Sequence, residues 1–357
     1  MPFVAERRGS GLTWLESLSP WPEKFGLDTM RALLAELESP QRAYPSIHVV
    51  GTKGKSTATR TIAAYLEREG VRTGAYTSPH VSRWSERIQV GGSDVDLERA
   101  LERVRPAAQA LGATQFETLT GAALLEFSEC GVEVAVVEAG LGGRLDATNV
   151  IDAGIVLLTN VDLEHTEVLG YTREQIAKEK LAVAHAARVV VTSDNTYSGL
   201  VPRDAEHVFG GAQPAAEAFL GRPVEGRLEV NLPGRFEQRG EEVWDGAHTP
   251  GAVDWLLERL PARDYTLCLS VLADKDVDAI LGRLSQAGSH LIATRSTNER
   301  ALPAEELVRR AEPHFAQVEA VADPQAALAR ARELSPRILV TGSLYLLADL
   351  YDERKRA

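Results

Sequence analysis

Two patterns of apolar and polar positions alternate along this chain of 357 residues. Short, continuous apolar runs at 47–50, 132–137 and 154–159 read as strands buried on both faces. Shorter strands are expected at 72–77, 85–92 and 189–192. Between them, apolar residues fall at helical spacing. Phe25, Leu27, Met30, Leu33, Leu34 and Leu37 predict an amphipathic helix that Pro40 and Pro45 stop. Ile62, Ala63 and Leu66 predict a helix over 57–70. A helix over 96–111 has charged faces around Leu97, Leu101, Val104 and Leu111, which set it on the outside. Phe116, Leu119, Ala122, Leu125 and Phe127 mark another helix, and Thr172 caps one that runs through Lys180. Residues 193–232 are richer in Gly, Pro and Ala, and read as an inter-domain region with one short helix. A second alternation follows, with strands at 242–244, 266–272, 290–294, near 318 and at 338–341, and helices at 250–260, 277–284, 304–313 and 324–334. Strands alternating with helices imply α/β architecture with mostly parallel sheets. We expect two domains, a larger one over 1–232 and a smaller one over 233–357.

Bulk properties narrow the class. The chain is 44% hydrophobic and 25% charged, as in a soluble globular protein. Its net charge of −12 argues against nucleic acid or an anionic membrane as the main partner. Cys130 and Cys268 form neither a disulfide framework nor a metal pattern, which fits the reducing cytoplasm. The first 14 residues lack the apolar core of a signal peptide, and no apolar run reaches membrane-spanning length.

The chemistry begins at Gly51-Thr52-Lys53-Gly54-Lys55-Ser56-Thr57, between a buried strand and a helix. Strand, glycine turn, lysine, hydroxyl and helix is the layout of a phosphate-binding loop. Glycines let backbone N–H groups point into one concavity, and the helix N-terminus adds partial positive charge. Lys55 supplies a cation for phosphates, and Ser56 or Thr57 a hydroxyl for magnesium. Val49 stands where the full pattern has a glycine. Glu138 ends the 132–137 strand and precedes a glycine-rich turn, where it suits a metal that accompanies a nucleotide. His165 falls just after the 154–159 strand. Three strand ends carrying polar groups argue for one convergent site. Thr77-Ser78-Pro79-His80 follows a strand end, either as a substrate loop or as an ordinary turn. Phe116 is a core residue or a ligand contact, and spacing does not separate Lys180 from a solvent-facing lysine. In the second half, Asp245-Gly246-Ala247-His248 and Ala273-Asp274-Lys275-Asp276 each follow a strand, which suggests that this domain faces the same nucleotide.

Together the stretches HVVGTKGKST (48–57), YTSPHVSRWSERIQVGG (76–92), FETLTGAALLEF (116–127), VVEAGLGGRLDATNV (136–150), EHTEVLGYTREQIAKEK (164–180), LPGRFE (232–237), DGAHTPGA (245–252), LADKD (272–276) and LVTGSLYLLADL (339–350) resemble the folylpolyglutamate synthase/dihydrofolate synthase family of the Mur-ligase superfamily. The resemblance implies an N-terminal P-loop, ATP-binding domain of Mur-ligase type with a mostly parallel sheet, and a smaller Rossmann-like C-terminal glutamate-ligase domain. It implies transfer of the γ-phosphoryl of ATP to a carboxylate, followed by attack of the glutamate amine. It assigns Gly51, Thr52, Gly54, Lys55, Ser56 and Thr57 to ATP, together with Arg235, Asp245 and His248. Two Mg2+ sites are implied, one on Ser56 or Thr57 with Glu138, the other on His165. Lys180 matches a lysine that the family carbamylates, which would make it a carboxylate-like metal ligand, and Lys55, His165 and Lys180 are the implied catalytic residues. Thr77, Ser78, Pro79, His80, Arg87 and Phe116 would border a dihydropteroate or folate substrate. A cytoplasmic monomer acting on ATP, L-glutamate and this pterin substrate is expected.

The sequence departs from the family pattern at Lys53, Ser56, Glu164 and Thr249, where the family has Asn, Gly, Asp and Asn. The 193–232 stretch is short, and the family's His-Gln-x-x-Asn helix is missing from it; Gln213-Pro214-Ala215-Ala216 is the nearest match and lacks the Asn. Two alternatives stand beside the folate reading. One is a Mur-type ligase acting on another carboxylate, which the Ser56 loop favours. The other is a non-catalytic nucleotide-binding homologue, against which Lys55, Glu138, His165 and Lys180 speak.

Overall fold

A computed structural model describes residues 9–351, which divide into two compact units between Val230 and Asn231. The leader reading rests on residues 1–14, of which 1–8 lie outside the described residues. No helix among the described residues is long and apolar enough to cross a membrane.

The first unit opens with α1 (Ser10–Ser17) and α2 (Asp28–Glu36), then β1 (Ser46–Val50) and α3 (Lys55–Arg68). It continues through β2 (Thr73–Tyr76), β3 (Ile88–Val90), β4 (Ser93–Asp94), α4 (Leu97–Leu111), α5 (Gln115–Glu129), β5 (Val134–Glu138) and β6 (Ile155–Leu158). It ends with α6 (Thr166–Leu169), α7 (Arg173–Leu181), β7 (Val189–Thr192), β8 (Glu206–Phe209) and α8 (Ala212–Leu220). The eight strands order as β4-β3-β2-β5-β1-β6-β7-β8, parallel from β2 to β8, with β3 and β4 antiparallel at one edge. Ile47, Val49, Val134 and Val136 pack with Ile62, Leu66 and Ala215 on one face, while Val50, Ala135 and Val137 pack with Leu101, Leu119 and Phe127 on the other. That alternation is the period of two expected of a strand. Burial on both faces explains why these strands read as unbroken apolar runs.

The second unit holds β9 (Glu237–Arg239), β10 (Glu242–Trp244), α9 (Pro250–Arg259), β11 (Thr266–Leu269), α10 (Val277–Leu284) and β12 (His290–Ala293). It closes with α11 (Ala304–Ala311), β13 (Gln317–Ala320), α12 (Pro324–Leu334), β14 (Ile338–Thr341) and α13 (Leu344–Tyr351). Its sheet runs β13-β12-β11-β14-β10-β9, parallel except for the β9–β10 hairpin. This is the mixed α/β, parallel-dominated architecture expected for both halves.

Three expectations are corrected. The helix expected from Phe25 to Leu37 is shorter: α2 starts only at Asp28, and Phe25 is exposed against Trp21, with ring centroids 6.3 Å apart. The 96–111 helix, expected on the outside, is covered along its apolar side, because Leu97, Leu101 and Val104 are buried where it packs with α1, α2 and α5. Most consequentially, the 193–232 region, expected to lie between domains, is part of the first unit up to Val230, and the one short helix expected there is α8. The region contributes β8, which pairs in parallel with β7, and α8, which packs on α3. Buried Tyr65 of α3 ties this segment down. Its hydroxyl lies 3.2 Å from Gln213 Oε1 and 3.3 Å from the Gly226 carbonyl, and accepts the Leu228 N–H at 3.0 Å. Gln213 Nε2 donates to the Val224 carbonyl at 3.0 Å, and Arg68 to that of Glu225 at 2.6 Å. Removing one buried hydroxyl that satisfies a backbone N–H costs about 1–2 kcal/mol. Tyr65→Phe is therefore expected to lower the unfolding free energy by that amount, read in urea unfolding as a lower midpoint with an unchanged m-value.

Candidate active site

The phosphate loop leaves β1 at Gly51 and enters α3 at Lys55. Gly51 has φ +145°, and a Cβ there would sit 1.9 Å from Thr159 Oγ1, so only glycine fits. Gly54 caps the helix with φ +78°. The loop is strapped to the end of β6. Thr52 N–H donates to the Asn160 carbonyl at 3.0 Å, Lys53 N–H to Asn160 Oδ1 at 2.8 Å, and Asn160 Nδ2 back to the Lys53 carbonyl at 2.9 Å. Thr52 Oγ1 accepts the Asp162 N–H at 3.0 Å, and Lys53 pairs with Asp162 at 3.4 Å.

Glu138, 1% exposed at the end of β5, joins two loops. Ser56 Oγ donates to its Oε1 at 3.0 Å, and Ser78 N–H to its Oε2 at 2.9 Å. The phosphate loop and the Thr77–His80 loop therefore meet on one carboxylate. Thr57 is exposed beside Ser56 at the start of α3. Lys55 Nζ and Lys180 Nζ both donate to the Gly51 carbonyl, at 3.0 and 2.9 Å. Lys180, which spacing could not distinguish from a surface lysine, is 1% exposed and pairs with Glu164 at 2.6 Å. Burial lowers its pKa, Glu164 opposes that, and neighbouring Lys55 adds to it. His165 is exposed at the cap of α6 with φ +44°. A non-glycine residue held there costs on the order of 1–3 kcal/mol, a strain that recurs at functional sites. No cluster of three or more His, Cys, Asp and Glu among the described residues could hold a metal, so the oxygen donors at hand are Ser56, Thr57 and Glu138. Hydroxyl and carboxylate oxygens at a helix start suit a hard divalent cation.

The loop after β2 holds a second group. Arg87 Nε donates to His80 Nδ1 at 3.0 Å, and the ring centroids of His80 and Trp84 are 4.3 Å apart. Burial, then the Arg87 charge, pushes the His80 pKa down to about 3, so the ring is neutral. The Ser78–Pro79 peptide is cis, and Pro79 is exposed. Phe116 lies 6.1 Å from Tyr76 and closes on Gly140. Sequence reasoning passed over Tyr76, Trp84 and Asp146. Asp146 accepts the Leu141 N–H at 2.7 Å and the Thr148 N–H at 3.0 Å, and so shapes the glycine-rich turn. Thr148 Oγ1 also donates to Asp146 and lies 2.8 Å from His48 Nε2, which must then be the protonated ring nitrogen.

In the second unit, Asp245 accepts the Phe236 N–H at 2.7 Å and the Ala247 N–H at 2.8 Å, holding the Arg235 turn against β10. Burial pushes its pKa up to about 6 against the pull of those bonds and Arg235. His248 Nδ1 donates to the Gly246 carbonyl at 2.7 Å, and burial lowers its pKa.

Comparison with known proteins gives this arrangement its class. The Mur ligase middle domain matches residues 49–210, and the Mur ligase glutamate ligase domain residues 234–344. A Haloferax volcanii protein described as a probable bifunctional folylpolyglutamate synthase/dihydropteroate synthase is 32% identical over 95% of this chain; the chain spans about half (49%) of that relative's length. The folylpolyglutamate synthase of Lacticaseibacillus casei is 30% identical over 76% of this chain and 81% of its own. Mycobacterium tuberculosis folylpolyglutamate synthase complexed with ADP and AMPPCP matches with TM-score 0.84 and 27% identity, covering 96% of this chain and 97% of its own. The bifunctional folylpolyglutamate synthase/dihydrofolate synthase of Yersinia pestis CO92, complexed with AMPPNP and a Mn ion, matches with TM-score 0.79 and 26% identity over 95% and 96%. The fold is that of a two-domain Mur ligase. Within that class, the chain belongs to the folylpolyglutamate synthase/dihydrofolate synthase family.

Burial of His48, then the charge of His185, pushes its pKa down from 6.5 to about 3. Below pH 6.5 the unfolded chain takes up a proton there that the folded chain does not. The stability His48 contributes is present above pH 6.5 and falls away toward pH 3. By linkage the loss is about 2 kcal/mol between pH 6.5 and 5. His48→Gln is expected to flatten the fall in thermal midpoint over that interval, whatever its effect at pH 7.

Proposed function

We propose that the chain is an ATP-dependent ligase that joins L-glutamate to dihydropteroate, to a (tetrahydro)folate, or to both. The carrying observation is the Glu138 junction, where a hydroxyl of the phosphate loop and an amide of the substrate loop share one buried carboxylate. Such a junction sets a nucleotide's outer phosphate beside a second substrate, and phosphoryl transfer depends mostly on that positioning. The γ-phosphoryl passes to the substrate carboxylate and ADP leaves. The glutamate amine then attacks the acyl phosphate, an amide forms, the amine loses a proton, and phosphate departs.

In this reading Gly51, Thr52 and Gly54 would form the turn around the phosphates, and Lys55 would neutralise their charge. Ser56 or Thr57 with Glu138 would hold one Mg2+ and His165 a second, supplying further charge neutralisation. The lowered pKa of Lys180 favours the neutral amine, which is the form that takes up carbon dioxide, so a carbamate there fits the reading. Thr77, Ser78, Pro79, His80, Arg87 and Phe116 would border the pterin-bearing substrate, with the neutral His80 ring and Trp84 offering aromatic surface. Arg235, Asp245 and His248 are proposed nucleotide contacts of the second unit. The enzyme would work as a cytoplasmic monomer, with domains over 1–232 and 233–357.

The test is ADP release by purified protein with ATP, magnesium and glutamate, comparing dihydropteroate with tetrahydrofolate. Turnover with either supports the reading, and turnover with both makes it bifunctional. Lys55→Ala and His165→Ala are each expected to lower kcat by at least about a hundredfold. Turnover only with a UDP-sugar amino acid would transfer the site to a cell-wall precursor. Nucleotide binding without turnover would leave a binding protein.

A further inference from the structure

Arg60 stands on α3 one helical turn beyond Ser56 and is only 7% exposed. Its Nη2 donates to Thr77 Oγ1 at 3.3 Å and to the Glu86 carbonyl. Those residues lie at the two ends of the loop that carries Ser78, His80 and Trp84. Thr77 N–H donates to the Arg87 carbonyl at 2.9 Å and closes the loop at its neck. Inside the loop, the Glu86 carboxylate accepts the N–H groups of Val81 at 2.9 Å, Ser82 at 3.1 Å and Arg83 at 3.0 Å. The other terminal nitrogen, Nη1, is buried without a partner among the described residues. Burial presses the guanidinium pKa down to about 10, against Asp94, Glu86, Glu138 and Glu67, so it is still a cation at neutral pH.

A buried charge with an unsatisfied nitrogen is a poor stabiliser. Both bonds leave one terminal nitrogen, Nη2, which the planar guanidinium holds in a fixed place that a flexible lysine ammonium does not reproduce. We propose that Arg60 is a positioning residue that holds the 77–87 loop in register with the helix carrying Lys55 and Ser56. Through that register it sets where the loop presents His80, Trp84 and Arg87 to the pterin-bearing substrate. The proposal rests on the folate reading of this loop.

Arg60→Lys and Arg60→Met are compared with wild type by steady-state kinetics, AMPPNP affinity and amide hydrogen exchange across 78–87. In both variants KM for the pterin substrate is expected to rise about tenfold or more, while KM for ATP and Kd for AMPPNP stay within about twofold. The amides of Val81, Ser82 and Arg83 are expected to exchange faster in both. Recovery in Arg60→Lys, equal rises in both KM values, or unchanged exchange overturns the proposal. Should Arg60→Met not fold, Arg60→Lys carries the test. A wild-type protein that turns over no pterin substrate sinks the folate reading instead, and the exchange measurement then decides on Arg60 alone.

Discussion

A carboxylate taken out of water must be met by donors, and Glu138 is met by donors from two different loops. The sheet makes that possible. β5 lies between β2 and β1, so the loops leaving those two strands flank its end. Parallel strands bring all three carboxyl ends to one edge, where ligands of open α/β sheets bind. If the Glu138 charge were left without either loop, burial would oppose it. The same electrostatic demand therefore pins the phosphate loop and the substrate loop to a common point.

The strands of this first sheet were legible because both of their faces are covered. Ile47 and Val49 serve one core while Val50 serves the other, and the sequence shows only an apolar run. What covers a helix was not legible. Leu97, Leu101 and Val104 sit among charges and read as an outer helix, but α1 and α2, far upstream, pack over them. The 193–232 segment failed for another reason. β8 is an edge strand without a fully buried position, and α8 packs through Ala215 and Ala216, so neither shows strong periodicity. Its order comes from Tyr65, which is distant in sequence.

The site divides along similar lines. Lys55, Ser56 and Glu138 stood out because glycine turns and strand ends restrict what they can be. Lys180 did not, although the helix phase separates it from its neighbour. Ile176, Ala177 and Lys180 share the buried face of α7, whereas Lys178 pairs with Glu174 in the open. Arg60 lies in the same way on the buried stripe with Ile62 and Ala63, a polar residue at an apolar phase, and that mismatch was the available signal. Glu86 gave none, since its role is to gather backbone amides that no side-chain pattern reveals.

The struts of the phosphate loop have a consequence for how the chain comes into being. Lys53 is held by Asn160, 107 residues further on, and Thr52 by Asp162, 110 further on. β1 itself is flanked only by β5 and β6, both late in the unit. During synthesis the glycine turn therefore emerges well before anything that gives it shape. Competence to hold a nucleotide arrives late, with the β6 end, and the motif is no portable local device. Its geometry is a property of the completed sheet, acquired at the entropic expense of contacts that span about half of the unit.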